Sequence, residues 1–374
     1  MRFANAVVIK LVYDIIYLLV YNIFKQFRRG SVELAGVNTP LYDVKKIVDL
    51  KDMLAQSAET FGDKAAFLVK PKGGGDYKPV SYSQFKRDVE ALGTALMDMG
   101  LKGKRIAVIG ENRYEWAVTY LAVVNGVGII VPLDKELPLK EIENLLDTSQ
   151  TSAIIYSGKY EQYRDEIAKE LPQLKVYVNM DLDENGQNVL SFSKLIEQGM
   201  ALLKQGDTSF TDEQIDAEEM RILLFTSGTT GLAKGVMLSH KNICTNLMAM
   251  CSMLYIGPKD TFLSVLPLHH TYECTCGFLC PIYRGSTVAY CEGLRHIVKN
   301  LKEAKATIML GVPLIFESMY KKVWQQAEKS GMASKLRSAI KVNNVLKKVG
   351  VDLSKKLFSK IHENLGGHIR VFIS

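Results

Sequence analysis

No cysteine stands before residue 244 or after residue 291 in this chain of 374 residues. The six present, Cys244, Cys251, Cys274, Cys276, Cys280 and Cys291, show no CxxC spacing and have no HxxxH partner nearby. That pattern argues against a zinc site and a disulfide framework and points to buried thiols of a reducing compartment. No internal repeat of short period is present, which removes solenoid architectures. Net positive charge is also absent from most of the chain, although the formal net charge is +7. Residues 1–29 carry Arg2, Lys10, Lys25, Arg28 and Arg29 against Asp14, and residues 321–360 carry eleven basic residues against Glu328 and Asp352; everything else is net acidic. Cationic character confined to two segments is not the footprint of a nucleic-acid-binding domain, so no nucleic-acid partner is expected.

What the chain does have is apolar content, 47% of its residues, enough for a large core and two or three domains or subdomains. Its first segment, MRFANAVVIKLVYDIIYLLVYNIFKQFRR, is apolar from Phe3 to Phe24 except at Asn5, Lys10, Asp14 and Asn22. As a helix this stretch would be about 33 Å long, enough to span a hydrocarbon core. Lys10 and Asp14 stand at i and i+4, where they face each other and partly neutralise. No small-residue cleavage site follows, so an anchor or deep interfacial helix is expected over residues 1–29 in preference to a removable signal, with a soluble docking helix as the alternative. Lys25, Arg28 and Arg29 outnumber Arg2, which by the positive-inside tendency leaves the rest of the chain, a membrane-associated protein on this reading, facing the cytoplasm.

From residue 50 to 220 helical and strand patterns alternate. Phe85, Val89, Leu92, Leu96 and Met99 recur at helical spacing before the apolar strand RIAVIG (105–110). An apolar helix over 114–126, the strand GIIVPL, a helix opened by Pro138 with Ile142 and Leu146 inward, and the strands SAIIYSG and LKVYVNM follow. Near-continuous apolar strands between helices imply a parallel sheet covered on both faces. The stretch KGGGDYK (72–78) reads as a flexible hairpin connection. A second α/β set has its strands at TFLSVLPL, STVAYC, ATIMLGVP and HIRVFIS. The cationic stretch before the last is expected to be helical, with Leu336, Ile340, Leu353, Leu357 and Ile361 on an apolar face. Its charges suit either solvated helix faces or a membrane-surface or polyphosphate contact. The expected division is residues 1–29, 30–220 and 221–374.

The most informative stretch is FTSGTTGLAKG, residues 225–235, where glycines and hydroxyls crowd around one lysine. Such a loop turns successive backbone N–H groups toward one concavity and suits a phosphate. It is not a Walker A loop: with Gly228 as first glycine and Lys234 as the lysine, Ala233 replaces the second glycine and Gly235 the magnesium-binding hydroxyl. A P-loop NTPase is therefore the remaining, weaker enzyme alternative. Val236, Met237 and Leu238 read as a returning strand, and Ser239 as the N-cap of a helix over 240–254, so the motif is strand–loop–strand.

The whole stretch LLFTSGTTGLAKGVMLSH closely resembles the signature of the adenylate-forming (AMP-binding) enzymes, the superfamily of acyl-CoA synthetases, luciferases and peptide-synthetase adenylation domains. Residues 111–156, from ENRYEW to AIIY, and the stretch LPLHHTYECTCGFLCPIYRGSTVAY resemble the N-terminal part of long-chain fatty acyl-CoA synthetases. The resemblance runs from about residue 50 to the last residue. It implies an α/β fold of two doubly wound, mostly parallel sheet subdomains, truncated, behind the apolar N-terminal helix. It also implies a reaction: a fatty acid carboxylate attacks the α-phosphorus of ATP, with Mg2+, to give an acyl adenylate and release pyrophosphate, and coenzyme A sulfur then displaces AMP to give a thioester.

By the same resemblance Thr226, Ser227, Gly228, Thr229, Thr230, Gly231 and Lys234 hold the β- and γ-phosphates. His270 matches the histidine beside the acyl and phosphate sites, with Pro267 setting the turn before it and Glu273 keeping the motif's acid. Cys274 stands where arginine is typical, as does Leu314. The family's adenine-binding loops, magnesium-associated glutamate, ribose-binding aspartate, hinge and catalytic lysine all fall after Ser374. The chain by itself is therefore expected to show no ATP–pyrophosphate exchange. The second reading is a catalytically inactive, membrane-tethered fragment that binds nucleotide or serves in interactions. No residue is expected to ligate a metal, and oligomeric state is not indicated.

Overall fold

The structure is a computed structural model. It describes residues 40–226, 234–348, 350–351 and 353–374, so the expected helix over residues 1–29 lies outside the described residues. Among the described residues no helix is long and apolar enough to cross a membrane. The chain divides into two compact units, one of residues 40–259 and 267–290, the other containing residues 260–266 and 291–374.

The larger unit is built on a seven-stranded sheet whose order is β7-β6-β5-β3-β4-β8-β9. Its strands are β3 (Lys104–Ile109), β4 (Gly128–Pro132), β5 (Ala153–Tyr156), β6 (Val176–Asn179), β7 (Leu190–Ser191), β8 (Met220–Thr226) and β9 (Lys234–Ser239). All neighbours are parallel except β8 and β9. Because β4 lies on one side of β3 and β5, β6 and β7 on the other, the sheet winds outward in both directions, as the strand–helix alternation predicts. Ile106, Ala107, Val108 and Ile109 are all fully buried, the mark of a strand covered on both faces. On one face Ile142, Leu145 and Leu146 of helix Leu139–Thr148 pack over Ala107, Ile109, Val131 and Ile154. Elsewhere in this unit helix Tyr82–Asp98 packs against helix Phe192–Lys204. There a Cβ on Gly199 would lie 1.8 Å from the Ala91 carbonyl oxygen, so only glycine permits that approach.

The same unit carries three further strands, β1 (Ala65–Val69), β2 (Lys78–Ser81) and β11 (Thr287–Tyr290). β1 pairs antiparallel with β2 and parallel with β11. The turn between β1 and β2 is the KGGGDYK stretch, and Gly73, Gly74 and Gly75 all have φ between 90° and 112°, conformations that L side chains resist. In the smaller unit β12 (Ile308–Leu310) pairs in parallel with β10 (Thr261–Ser264) and with β13 (Val371–Ile373).

One expectation needs correction. The division expected after residue 220 cuts a sheet, because β8 pairs with β4 at Ile130 and Ile222 and stays with the larger unit, as do β9 and β11. The cationic stretch is helical as expected, over Pro313–Lys329, Ala333–Lys348, Ser354–Leu357 and Ser359–Asn364; on its apolar face Leu336, Ile340 and Ile361 are half-buried and Leu353 and Leu357 exposed, and helix Ala333–Lys348 buries Asn343 alone. The inward position is taken by an amide, whose Nδ2 donates to Ser354 Oγ at 2.9 Å and whose Oδ1 accepts from the Leu353 N–H at 3.0 Å. All six cysteines are free thiols, four of them buried, with Cys251 Sγ 3.3 Å from Cys280 Sγ.

Candidate active site

The glycine-rich motif starts and ends in two paired antiparallel strands. β8 and β9 pair from Met220 with Ser239 up to Thr226 with Lys234, and Ser227, Gly228, Thr229, Thr230 and Gly231 between them lie outside the described residues. The hairpin is anchored at its root by the following helix, His240–Met253. Ser239 Oγ accepts from the Asn242 N–H at 3.3 Å and Asn242 Oδ1 accepts from the Ser239 N–H at 3.0 Å, a capping box that satisfies two orphan donors. Thr226 and Lys234 at the tip are exposed, and Lys234 makes no ion pair with any described residue. An ammonium with a hydroxyl opposite it, both presented to solvent beside a glycine-rich loop, fits a polyphosphate chemically. No group of His, Cys, Asp and Glu residues among those described is arranged to hold a metal ion.

His240, the last residue of the motif, has a structural role. It is fully buried, its Nδ1 accepts from the Leu50 N–H at 3.0 Å, and its Nε2 lies 2.9 Å from the Val124 carbonyl oxygen. An acceptor at Nδ1 and a donor at Nε2 require the neutral ring, and burial accordingly pulls its pKa down.

The second motif supplies the histidines. His270 N–H donates to the Pro267 carbonyl at 3.1 Å and its carbonyl accepts from Cys274 N–H at 2.9 Å, which fixes the turn into a wide π-helical segment, Glu273–Leu279. His270 is exposed, and its ring centre lies 4.3 Å from that of His269. His269 points inward, with Nε2 3.5 Å from Asp134 Oδ1, longer than a hydrogen bond. Burial dominates its titration and pulls the pKa down to about 4 against the attraction of Asp134. Glu273 is buried, and its carboxylate occupies the space beside Gly277 one turn on, where a Cβ would come within 2.5 Å of its Oε1 and displace it.

The two motifs converge. Leu224 and Leu238 from the hairpin, with Tyr120, Leu268, His269 and Thr271, line one cavity of about 10 Å3, room for a single water. Residue-by-residue reading of the motifs missed two contributors. Asn112 follows β3, and its Oδ1 accepts from the Leu268 N–H at 3.1 Å, holding the histidine turn; Asp134 follows β4 and faces His269. Both sit just past the carboxyl ends of strands, the edge at which such sheets place functional groups, and that is the signal that could have found them. Nearby, Arg113 Nη1 donates to both Asp181 carboxylate oxygens at 2.9 Å while Asp181 Oδ2 accepts from Gly158 N–H, tying together the loops after β3, β5 and β6.

Two buried neutral histidines predict acid sensitivity. The unfolded chain binds their protons near pH 6.5 whereas the folded chain resists doing so, so their contribution is complete above pH 6.5 and is lost as pH falls. For His269 the loss spreads between pH 6.5 and about 4 and is of the order of 3 kcal/mol. Denaturant unfolding at a series of pH values checks this; a stability independent of pH across that window would contradict the buried neutral assignment.

The model of the family described as "AMP-binding enzyme" matches residues 54–372. Among curated proteins, fatty acyl-CoA synthetase A of Dictyostelium discoideum is 28% identical over 354 residues, covering 91% of this chain and 51% of that protein. Long-chain-fatty-acid–CoA ligase 1 of Cavia porcellus is 28% identical over 327 residues, covering 80% of this chain and 45% of that protein. The chain thus spans about half the length of the curated relatives it matches. Among solved structures, the adenylation domain of a carboxylate reductase from Mycobacterium chelonae superposes with a TM-score of 0.69 at 17% identity, over 87% of this chain and 53% of that one. A long-chain-fatty-acid–CoA ligase from Archaeoglobus fulgidus gives 0.63 at 20%, over 75% and 54%. These structural likenesses bear on the fold, two parallel-dominated sheets in a mixed α/β chain. With a family match over most of its length, behind a hairpin and histidine turn that line one cavity, the chain belongs to the AMP-binding enzyme family.

Proposed function

We propose that this chain contributes the phosphate grip and the histidine turn to a long-chain fatty acyl-CoA synthetase, as part of a longer protein. The observation that carries the reading is that Leu224 and Leu238, in the strands that lead to Thr226 and from Lys234, line one apolar cavity together with His269 of the histidine turn. The reaction is ATP-dependent activation of a fatty acid to acyl-AMP, with Mg2+, followed by transfer to coenzyme A. It needs no nucleophile from the protein, so the chain acts through position and charge. Lys234 and the Thr226 hydroxyl, with Ser227, Gly228, Thr229, Thr230 and Gly231, would hold the β- and γ-phosphates. His270, the exposed ring of the histidine pair, would approach substrate, with the His269 ring centre 4.3 Å from its own. The cavity's lining suits an acyl chain, but at about 10 Å3 it admits one only if the side chains move apart.

The test is ATP–pyrophosphate exchange by the full-length protein, expected to depend on added long-chain carboxylate. Absence of exchange with every carboxylate would leave the reading of an inactive nucleotide-binding or interaction protein. We also propose that residues 1–29 form the membrane anchor, with the rest of the chain on the cytoplasmic side, on the strength of their apolar run and the charges at Lys25, Arg28 and Arg29. A chain beginning at Ser31 is expected to float less with liposomes than the whole chain, and equal flotation would refute the anchor.

A further inference from the structure

The helices after β12 leave a surface that the reaction proposed above does not use. Helix Tyr82–Asp98 buries ten of its seventeen residues, whereas helix Pro313–Lys329 buries Phe316 alone and helix Ala333–Lys348 buries Asn343 alone. On the outer side of the latter, Val342 and Val345 are 53% and 63% exposed, and with Lys341 and Leu346 they form one apolar and basic patch. The Asn343 hydrogen bonds to Leu353 and Ser354 hold the next segment against the inward side of the same helix, which leaves the outer side uncovered by it. Helix Ala333–Lys348 contains no acidic residue, while Lys335, Arg337, Lys341 and Lys348 are exposed along it. At its side Trp324 stacks edge-on with Tyr320 at 6.1 Å and carries the Arg337 guanidinium 5.5 Å from its ring centre.

Clustered exposed apolar side chains call for a covering surface, and the surrounding charge says which kind. A protein partner would have to supply a matching acidic face, whereas an anionic bilayer offers both halves at once, phosphates for the lysines and an acyl boundary for the valines. Indole and phenol side chains beside the patch are the residue types that settle at that boundary. We propose that helix Ala333–Lys348 docks on an anionic lipid surface by its outer side, with Val342 and Val345 entering the headgroup–acyl boundary and Lys335, Lys341 and Lys348 meeting lipid phosphates.

Two tryptophans make a local test possible in the whole chain, whatever residues 1–29 do. Trp116 is 1% exposed in the core, so Trp324 is the reporter. Vesicles of phosphatidylcholine with brominated phosphatidylserine are expected to quench Trp324 emission, vesicles of brominated phosphatidylcholine alone to quench it far less, and the Trp324→Phe variant to show no quenching. The combined variant Val342→Ser, Val345→Ser, Lys341→Glu is expected to lower the quenching-detected partition by about tenfold or more. All three side chains are exposed, so its unfolding temperature is expected to be unchanged; Lys335→Glu with Lys348→Glu, which leaves the valines in place, is the second variant. Protein bound to vesicles with Trp324 unquenched, equal quenching by neutral vesicles, or no change in either variant would each overturn the proposal.

Discussion

Lys234→Ala is expected to lower carboxylate-dependent ATP–pyrophosphate exchange by the full-length protein by about 10²-fold or more, with unfolding temperature unchanged. The side chain is exposed at the mouth of the β8–β9 hairpin and bonds no described carboxylate, so removing it opens no cavity and strands no charge. Its expected work is done only when negative charge shifts along a polyphosphate, and a loss confined to that step would lower the turnover rate more than it weakens carboxylate binding. An unchanged exchange rate would remove the hairpin tip from the mechanism. A lowered unfolding temperature would instead give Lys234 a role in holding the hairpin.

The second large effect is on stability. Phe278→Ala is expected to cost about 3–5 kcal/mol by chemical denaturation. The ring is fully buried and sits amid Phe67, Phe85, Trp116 and Tyr120, with centroid distances of 6.2, 6.4, 6.4 and 6.1 Å. It meets both Trp116 and Tyr120 edge-on at 83°, the arrangement that aromatic quadrupoles favour. Phe278 lies in the π-helical segment that begins at Glu273, so its loss would loosen the support of the histidine turn as well as the core. Phe278→Leu, which keeps most of the volume, is expected to cost far less. A cost below about 1 kcal/mol for the alanine variant would mean that the cluster collapses around the gap and does not anchor the turn.

Much of the architecture is written locally. β3, β4, β5 and β6 lie within the apolar runs that mark them, helix Leu139–Thr148 starts directly after Pro138, and the triple glycine turns between β1 and β2. Ser239 caps its helix as its side chain dictates, and the return of the chain through Val236, Met237 and Leu238 forms the expected second strand of a hairpin. Each of these depends on residues within a few positions of one another, where period, cap and turn chemistry act without help from the rest of the molecule.

Other features depend on pairings that no local pattern encodes. Nothing in MRILLFT says that β8 will lie beside β4, some ninety residues earlier in the chain, and that pairing moves the division between units away from residue 220. Asn112 and Asp134 carry no motif, and only the fold brings one to the Leu268 N–H and the other to His269. The helical period after residue 333 is real, yet the amide of Asn343 takes the inward position and leaves Val342, Val345, Leu353 and Leu357 outside.

The sequence by itself determined the elements of the larger sheet, the strand–loop–strand motif with Lys234, the histidine pair and the family to which they point. Tertiary structure alone decided which histidine faces outward, that hairpin and histidine turn share a cavity, and which apolar side chains stay uncovered. The reason is physical: backbone geometry and side-chain period are properties of neighbours in the chain, whereas burial, desolvation and strand partnership belong to groups that meet only when the whole chain packs.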